Sequence, residues 1–66
     1  MGVYLVTGGA GFIGSNLIAT LLRQGHVVHA LDLHEAPHEL LHPKLIWFQG
    51  DLLDSTIVNS SVQGVD

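Results

Sequence analysis

The segment Thr7-Gly8-Gly9-Ala10-Gly11-Phe12-Ile13-Gly14 decides the fold of this 66-residue chain. It follows the apolar run Val3-Tyr4-Leu5-Val6, which is typical of a parallel strand buried on both faces. Residues 12–24, which come next, carry apolar side chains at i, i+4 spacing and predict an amphipathic helix. The segment is therefore predicted to be a tight turn that joins a buried strand to a helix.

Two overlapping glycine patterns occur in this turn: Gly8, Gly11 and Gly14 fit G-x-x-G-x-x-G, and Gly9, Gly11 and Gly14 fit G-x-G-x-x-G. In either pattern one glycine makes the turn, one lets the backbone approach a pyrophosphate, and one lets the helix pack against the strand. The backbone N–H groups of Phe12 and Ile13 are the predicted phosphate donors at the helix N-terminus. The alternative is a turn that needs glycine for its backbone conformation alone.

An acidic partner for the glycine turn stands at Asp32, which follows Gly14 by 18 residues and ends a second apolar run. A carboxylate at this place accepts the hydroxyls of an adenosine ribose and repels a 2′-phosphate. The nearest downstream cation is Lys44, so NAD is expected in preference to NADP. A P-loop is excluded because Gly14 is followed by Ser15 rather than by lysine.

The remaining chain alternates between strand and helix patterns. The predicted elements are a strand over 27–31, a short helix over 37–41, a strand over 45–48, and a helix over 55–62 that Asp54 caps and Gly64 ends. This order predicts an α/β fold with parallel strands, the first half of a doubly wound Rossmann sheet that binds NAD. Because the chain stops before a fourth strand, we expect residues 1–66 to be a partial dinucleotide-binding domain, a fragment of a longer protein.

The composition excludes several function classes. Charged residues make up 12% of the chain and apolar residues 47%, which is typical of a buried core rather than of disorder. The net charge of −4, with Arg23 and Lys44 as the permanent cations, argues against nucleic-acid and membrane partners. Without cysteine or a secretory signal pattern, a cytoplasmic location is expected.

The quoted motif extends into a family resemblance. Thr7–Leu17, TGGAGFIGSNL, looks like the opening of the extended short-chain dehydrogenase/reductases, the NAD-dependent epimerase/dehydratase family. The similarity continues through residues 23–28, Leu31-Asp32, Gly50-Asp51-Leu52 and Gly64-Val65-Asp66, and so spans the whole chain. It implies a Rossmann fold, NAD as cofactor, and a homodimeric parent enzyme that acts on a small-molecule substrate, a sugar nucleotide above all.

The resemblance also implies roles for the residues after the third strand. Asp51 would accept the exocyclic amine of the adenine, and Leu52 would pack near its ring; the alternative for Asp51 is a loop carboxylate near a helix start. Where the family often has asparagine after the ribose-binding acid, this chain has Leu33. Trp47 and Phe48 are interpreted as sheet packing, although one of them could line the adenine pocket.

The residues that perform chemistry in this family are not found in the chain. Family members use a Tyr-x-x-x-Lys pair, whereas Tyr4 and Lys44 are the sole tyrosine and lysine here and do not form it. We therefore expect the isolated chain to be catalytically inert. A nucleotide-sensing module and an orphan fragment without function are the alternatives to the cofactor-binding part of an enzyme, and the sequence after Asp66 would separate them.

Histidines recur at His34, His38 and His42, a spacing that on one continuous helix would form a metal-binding face. Pro37 intervenes, so at most two of them share a face, and a solvated loop is the preferred interpretation. No metal is predicted.

Overall fold

A three-stranded parallel sheet organises residues 2–66, the part of the chain that the computed structural model describes. In chain order the elements are β1 Val3–Thr7, α1 Phe12–Arg23, β2 Val27–Asp32, a 3₁₀ turn His38–Leu40, β3 Leu45–Gln49 and α2 Ser55–Val62. This order confirms the predicted α/β architecture. The short helix predicted over 37–41 is a single 3₁₀ turn, because Pro37 precedes it and Pro43 soon follows it.

The strands lie in the order β1-β2-β3, and both pairs are parallel. Thr7 at the end of β1 aligns with Leu31 of β2, and Asp32 at the end of β2 aligns with Gln49 at the end of β3. The helical crossovers thus bring all three carboxyl ends to one edge of the sheet. In doubly wound sheets ligands bind outside this edge.

The helices cover both faces of the sheet. A core on the α1 face contains Val6, Ile18, Leu22, Val28, Ala30 and Leu40. Since side chains alternate along a strand, His29 and Leu31 of β2 point to the opposite face, where the His29 Nδ1 lies 2.8 Å from the Ser61 carbonyl oxygen of α2. Four consecutive residues of β2, the central strand of the sheet, are buried as a result.

β1 is less buried than its apolar sequence predicts. Val6 is buried under α1, but Tyr4 is 42% exposed and packs its ring against His26 at 4.9 Å between centroids. Among the described residues β1 has a paired strand on one side alone, and the prediction that residues 3–6 are buried on both faces is wrong. The same kind of sequence in β2 is buried because that strand has neighbours on both sides.

Helix boundaries agree with the sequence. α1 ends at Arg23, and Gly25 follows with φ +87°, the left-handed conformation that glycine adopts without penalty. α2 begins after Asp54, whose side chain accepts hydrogen bonds from the helix. Within residues 2–66, neither helix has the length and apolar character needed to cross a membrane.

Candidate cofactor site

The turn between β1 and α1 folds back over the carboxyl ends of β1 and β2. The Gly8 N–H donates to the Leu31 carbonyl at 2.9 Å, and the Gly11 N–H donates to the Gly8 carbonyl at 3.1 Å. Gly8 has φ +69°, which an L side chain rarely adopts. The turn therefore needs glycine at position 8 for its backbone conformation.

The other three glycines of the turn differ in how much room the structure leaves for a side chain. A Cβ at Gly14 would collide with the Gly8 carbonyl oxygen, so this glycine lets α1 pack against the turn. A Cβ at Gly9 would meet Ile18 Cδ1 at 2.9 Å and the Trp47 ring at 3.1 Å. A Cβ at Gly11 would have the Gly8 carbonyl oxygen at 3.4 Å as its nearest atom, and its backbone is extended. Nothing within the described protein demands glycine at position 11, and the space beside it stays open.

The N-terminus of α1 has no side-chain cap. Gly11 is its N-cap residue, and no acidic residue lies in the first turn. The first hydrogen bond of the helix runs from the Ser15 N–H to the Gly11 carbonyl oxygen. The N–H groups of Phe12 and Ile13 precede that bond and have no partner within the helix. Their side chains are 84% and 81% exposed. An uncapped helix start with free donors and the positive end of the dipole is suited to an anion.

Asp32 lies beside this turn with its carboxylate held by the protein. Its Oδ2 accepts from the Ala10 N–H at 3.0 Å, and its Oδ1 accepts from the His34 N–H at 2.9 Å. The His34 ring Nδ1 lies 3.0 Å from the same Oδ1. The side chain of Asp32 is 11% exposed, so the carboxylate is fixed at the edge of the sheet rather than free in solvent.

The pKa of Asp32 is lowered from its ordinary value of 3.8. The hydrogen bond from the His34 backbone N–H is the main cause; burial acts in the opposite direction, and the Ala10 N–H and the His34 ring add to the lowering. The group is thus ionised at neutral pH and offers acceptor oxygens to a ligand.

A cleft of about 200 Å³ opens between the ends of β2 and β3. It is lined by Gly8, Leu31, Asp32, Leu33, Gly50, Asp51 and Leu52. Four residues predicted to bind the cofactor therefore share this cleft, namely Gly8, Asp32, Asp51 and Leu52. The other four, Gly11, Phe12, Ile13 and Gly14, line a hollow of about 570 Å³ that also includes Gly8 and continues over the start of α1.

Asp51 has a structural role that the sequence left open. Its Oδ1 accepts from the Leu53 N–H at 2.8 Å, which shapes the loop leading to α2. Both Asp51 and Leu52 are exposed at the mouth of the cleft. The loop contact occupies one of the two carboxylate oxygens, so it is compatible with a ligand on the other.

The permanent cations lie away from the cleft. Arg23 is the last residue of α1, whose C-terminus is at the opposite edge of the sheet, and Lys44 precedes β3 and donates from Nζ to the Gly25 carbonyl at 3.1 Å. The carboxyl edge instead carries Asp32 and Asp51. A ligand with an additional phosphate near Asp32 would meet a carboxylate and no lysine or arginine of this chain.

Three hydrogen bonds at the site were not anticipated from the sequence. Ala10 and His34 both donate to Asp32, and the Trp47 Nε1–H donates to the His34 carbonyl at 3.0 Å. The position of His34 two residues after an aspartate is the signal that could have suggested the first contact, because aspartate often accepts from the backbone two residues on. Trp47 also packs against the core, and the Phe48 ring lies 5.6 Å from His29, as sheet packing requires.

The histidines otherwise form no metal centre. His34 faces Asp32, while the Nδ1 of His42 accepts from the Lys44 N–H at 3.0 Å. Across residues 2–66, no group of three or more histidine, aspartate or glutamate side chains is close enough to hold a metal ion.

Comparison with known proteins identifies the family. Residues 4–66 match the sequence profile described as the NAD dependent epimerase/dehydratase family. The chain belongs to this family. NAD is the cofactor for which the family is named.

Relatives within the family have different activities. The chain is 48% identical over 67 residues to the 3 beta-hydroxysteroid dehydrogenase/Delta 5-->4-isomerase of Mycobacterium tuberculosis, with 100% of this chain and 18% of that protein covered. Among solved structures, it resembles the Bordetella bronchiseptica enzyme WbmG in complex with NAD (TM-score 0.77, 33% identity, 97% of this chain and 22% of that one).

It also resembles the UDP-glucose 4-epimerase of Thermotoga maritima with UDP-glucose (TM-score 0.74, 31% identity, 92% of this chain and 20% of that one). These likenesses confirm the predicted Rossmann architecture. The chain spans about a fifth of the length of the proteins it matches.

Proposed function

We propose that this chain is the NAD-binding segment of a longer epimerase/dehydratase-family enzyme. One observation carries the proposal: the open space at Gly11 adjoins the uncapped start of α1, on the same sheet edge as the fixed carboxylate of Asp32. A phosphate-bearing nucleotide needs these two features together, close backbone approach at one point and a ribose acceptor at another.

The pyrophosphate would lie against the turn. Its charge would be met by the N–H groups of Phe12 and Ile13 and by the positive end of the α1 dipole, with no lysine or arginine involved. Gly8 and Gly14 shape this surface, Gly8 through its backbone conformation and Gly14 by letting α1 start close to the turn. Affinity would therefore depend on close backbone approach, which a side chain at position 11 would prevent.

The adenosine would occupy the cleft between β2 and β3. Asp32 would accept ribose hydroxyls, Asp51 would accept the exocyclic amine, and Leu52 would pack against the adenine ring. The same carboxylate repels a 2′-phosphate, and the cations Arg23 and Lys44 lie at the far edge. NAD is accordingly favoured over NADP.

The substrate would be a small hydroxyl-bearing molecule held by parts of the enzyme outside these residues. When bound, the nicotinamide supplies a hydride acceptor for a substrate carbon. A sugar nucleotide is the proposed substrate class, supported by the likeness to UDP-glucose 4-epimerase. A steroid alcohol is the second candidate, favoured by the 48% identity to a hydroxysteroid dehydrogenase. We further propose that the enzyme is a cytoplasmic homodimer; the net charge of −4 of this chain argues against a nucleic-acid or membrane partner.

The test is titration of NAD and NADP into the full-length protein that contains this segment. Asp32→Ala should weaken NAD binding by about one to two decades and leave NADP unchanged or tighter, because it removes charge-assisted bonds to the ribose and the repulsion of the phosphate. Gly11→Val should abolish binding of both. Asn59→Ala, at an exposed position of α2, is the control.

An unchanged NAD/NADP ratio in Asp32→Ala would show that Asp32 is not the ribose ligand. Activity assays on the same protein separate the candidates: turnover of a UDP-sugar supports the first substrate class, and turnover of a 3β-hydroxysteroid the second. NAD binding with no turnover of any alcohol would favour a nucleotide-sensing module.

A further inference from the structure

The carboxylate of Asp32 has little free acceptor capacity. An ionised carboxylate offers about four lone-pair sites. Oδ2 uses one for the Ala10 N–H, and Oδ1 uses two for the N–H and the ring Nδ1 of His34. One site remains, whereas a ribose presents two hydroxyls. A ribose that donated both to Asp32 would therefore have to displace one of the existing bonds.

The His34 ring is the partner that can leave. Its bond is made by a side chain that is 81% exposed, whereas the other two bonds come from backbone N–H groups whose positions the turn and sheet determine. The Trp47 Nε1–H holds the His34 carbonyl, so the backbone at residue 34 stays in place when the ring moves. Rotation of an exposed ring costs little compared with rearranging the turn.

His34 also has a distinctive electrostatic position. Within residues 2–66, the pair of His34 and Asp32 is the one in which a basic side chain lies within 4.0 Å of a carboxylate. The other charged groups around His34 are acidic: Asp51 lines the cleft together with Asp32, and Glu35 is the next residue in the chain. Arg23 and Lys44 are at the opposite sheet edge. At this edge, His34 is the side chain in contact with Asp32 that can acquire a positive charge.

We propose that His34 is a cofactor-specificity residue: its imidazole competes with the ribose hydroxyls for Asp32, and its protonated form offsets the Asp32 charge and admits a 2′-phosphate. The proposal rests on the proposed function, in which Asp32 faces the ribose. His34, a residue outside the glycine motif, would then contribute to the preference between NAD and NADP.

The two charge states of the ring have opposite consequences for the two cofactors. A neutral imidazole makes the same kind of bond to the ionised carboxylate as a ribose hydroxyl does, so ribose hydroxyls can replace it. An imidazolium adds the attraction between opposite charges to that bond, so it competes better against the ribose of NAD. The same imidazolium can donate to a phosphate oxygen. The preference for NAD over NADP is therefore expected to shrink as the pH falls.

The experiment measures the dissociation constants of NAD and NADP for the full-length protein at a series of pH values between about pH 8 and about pH 6. Wild type is compared with His34→Ala, with His34→Gln, which keeps a hydrogen-bonding side chain but cannot become cationic, and with His38→Ala as the matched control. The 2′-phosphate itself titrates near pH 6, so His34→Ala provides the baseline for the cofactor's own protonation.

In wild type and His38→Ala, the ratio of the NADP to the NAD dissociation constant should fall about tenfold further than in His34→Ala and His34→Gln. His34→Ala should bind NAD several-fold more tightly than wild type at the acidic end. Parallel pH profiles in wild type and His34→Ala would overturn the proposal, as would weaker NAD binding by His34→Ala at every pH, which would indicate a ring that merely orients Asp32. If wild type binds NAD and its pH profile runs parallel to that of His34→Ala, this inference alone is refuted. If wild type does not bind NAD, the proposed function is refuted as well.

Discussion

The N-termini of α1 and α2 lie at the same edge of the sheet, but they differ in whether a side chain accepts hydrogen bonds from their first N–H groups. α2 begins at Asp54, whose Oδ1 accepts from Thr56 N at 3.0 Å and from Ile57 N at 3.3 Å. α1 begins at Gly11, with no side-chain cap and no acid in its first turn. One helix satisfies its donors with its own carboxylate, and the other has no side-chain acceptor for them.

This difference separates a structural helix start from one suited to binding. A helix N-terminus stabilises any nearby anion, whether it is a side chain or a phosphate. Asp54 supplies that anion permanently to α2 and excludes a second one by its charge. At α1 the absence of a side chain at Gly11 keeps both the donors and the space in front of them available. The two ends can be interconverted by substitution, which makes the comparison testable.

The largest effect is expected from Gly14→Ala, which disrupts the close packing of the start of α1 against the turn. The new Cβ would collide with the Gly8 carbonyl oxygen, and neither backbone can move without opening the turn. We expect a loss of about 3 kcal/mol in the free energy of unfolding, the upper end of what overpacking costs, together with loss of NAD binding. Chemical denaturation and NAD titration of the full-length protein measure both.

Gly11→Ala is the matched control for that substitution, since its Cβ would stand 3.4 Å from the nearest atom. Its unfolding free energy should stay within about 0.5 kcal/mol of wild type. Equal stability of the two variants would mean that α1 does not depend on close packing at Gly14.

Gly11→Asp converts the start of α1 into a copy of the start of α2. The extended backbone of Gly11 suits an N-cap residue, so the new carboxylate can accept from the first turn, as Asp54 does. We expect stability within about 0.5 kcal/mol of wild type, because glycine is already a fair N-cap. NAD affinity should fall about 100-fold, or about 2.8 kcal/mol, because the carboxylate occupies the donors and repels the pyrophosphate.

Gly11→Ser separates charge from size in that experiment. Serine caps the helix without a charge, so its loss of NAD affinity should be clearly smaller than that of aspartate. If aspartate at position 11 left NAD binding intact, the pyrophosphate would not lie at the start of α1.

Asp54→Ala should have the smallest effect and should act on stability alone. Loss of an N-cap carboxylate costs about 1 kcal/mol, and α2 covers the sheet face that holds His29 and Leu31. NAD affinity should be unchanged, because α2 starts outside the glycine turn. Thermal unfolding and NAD titration of Asp54→Ala, with Asp54→Asn as the cap-preserving control, provide the measurement; weaker NAD binding at unchanged stability would contradict the distinction between the two helix starts.

Local sequence signals were sufficient for most elements. The order of strands and helices, the cap at Asp54, the left-handed glycine at Gly25 and the parallel sheet follow from residue spacing and agree with the structure. The cap and the left-handed glycine depend on backbone conformation and on hydrogen bonds within a few residues, and the parallel pairing follows from the alternation of strand and helix patterns. Whether Gly8, Gly11, Gly14 and Asp32 bind the cofactor stays a prediction that the titrations above test.

By itself, then, the sequence determined the glycine turn between β1 and α1, the helix ends and the parallel order of the strands, because these arise from local sterics and from the spacing of apolar residues. The tertiary structure alone decided that apolar β1 is half exposed while β2 is buried, that Gly9 must accommodate Trp47, and that Ala10 donates to Asp32. Those outcomes depend on which elements become neighbours across 17 to 38 residues of chain, and burial and hydrogen bonding at such separations are properties of packing that no short stretch of sequence encodes.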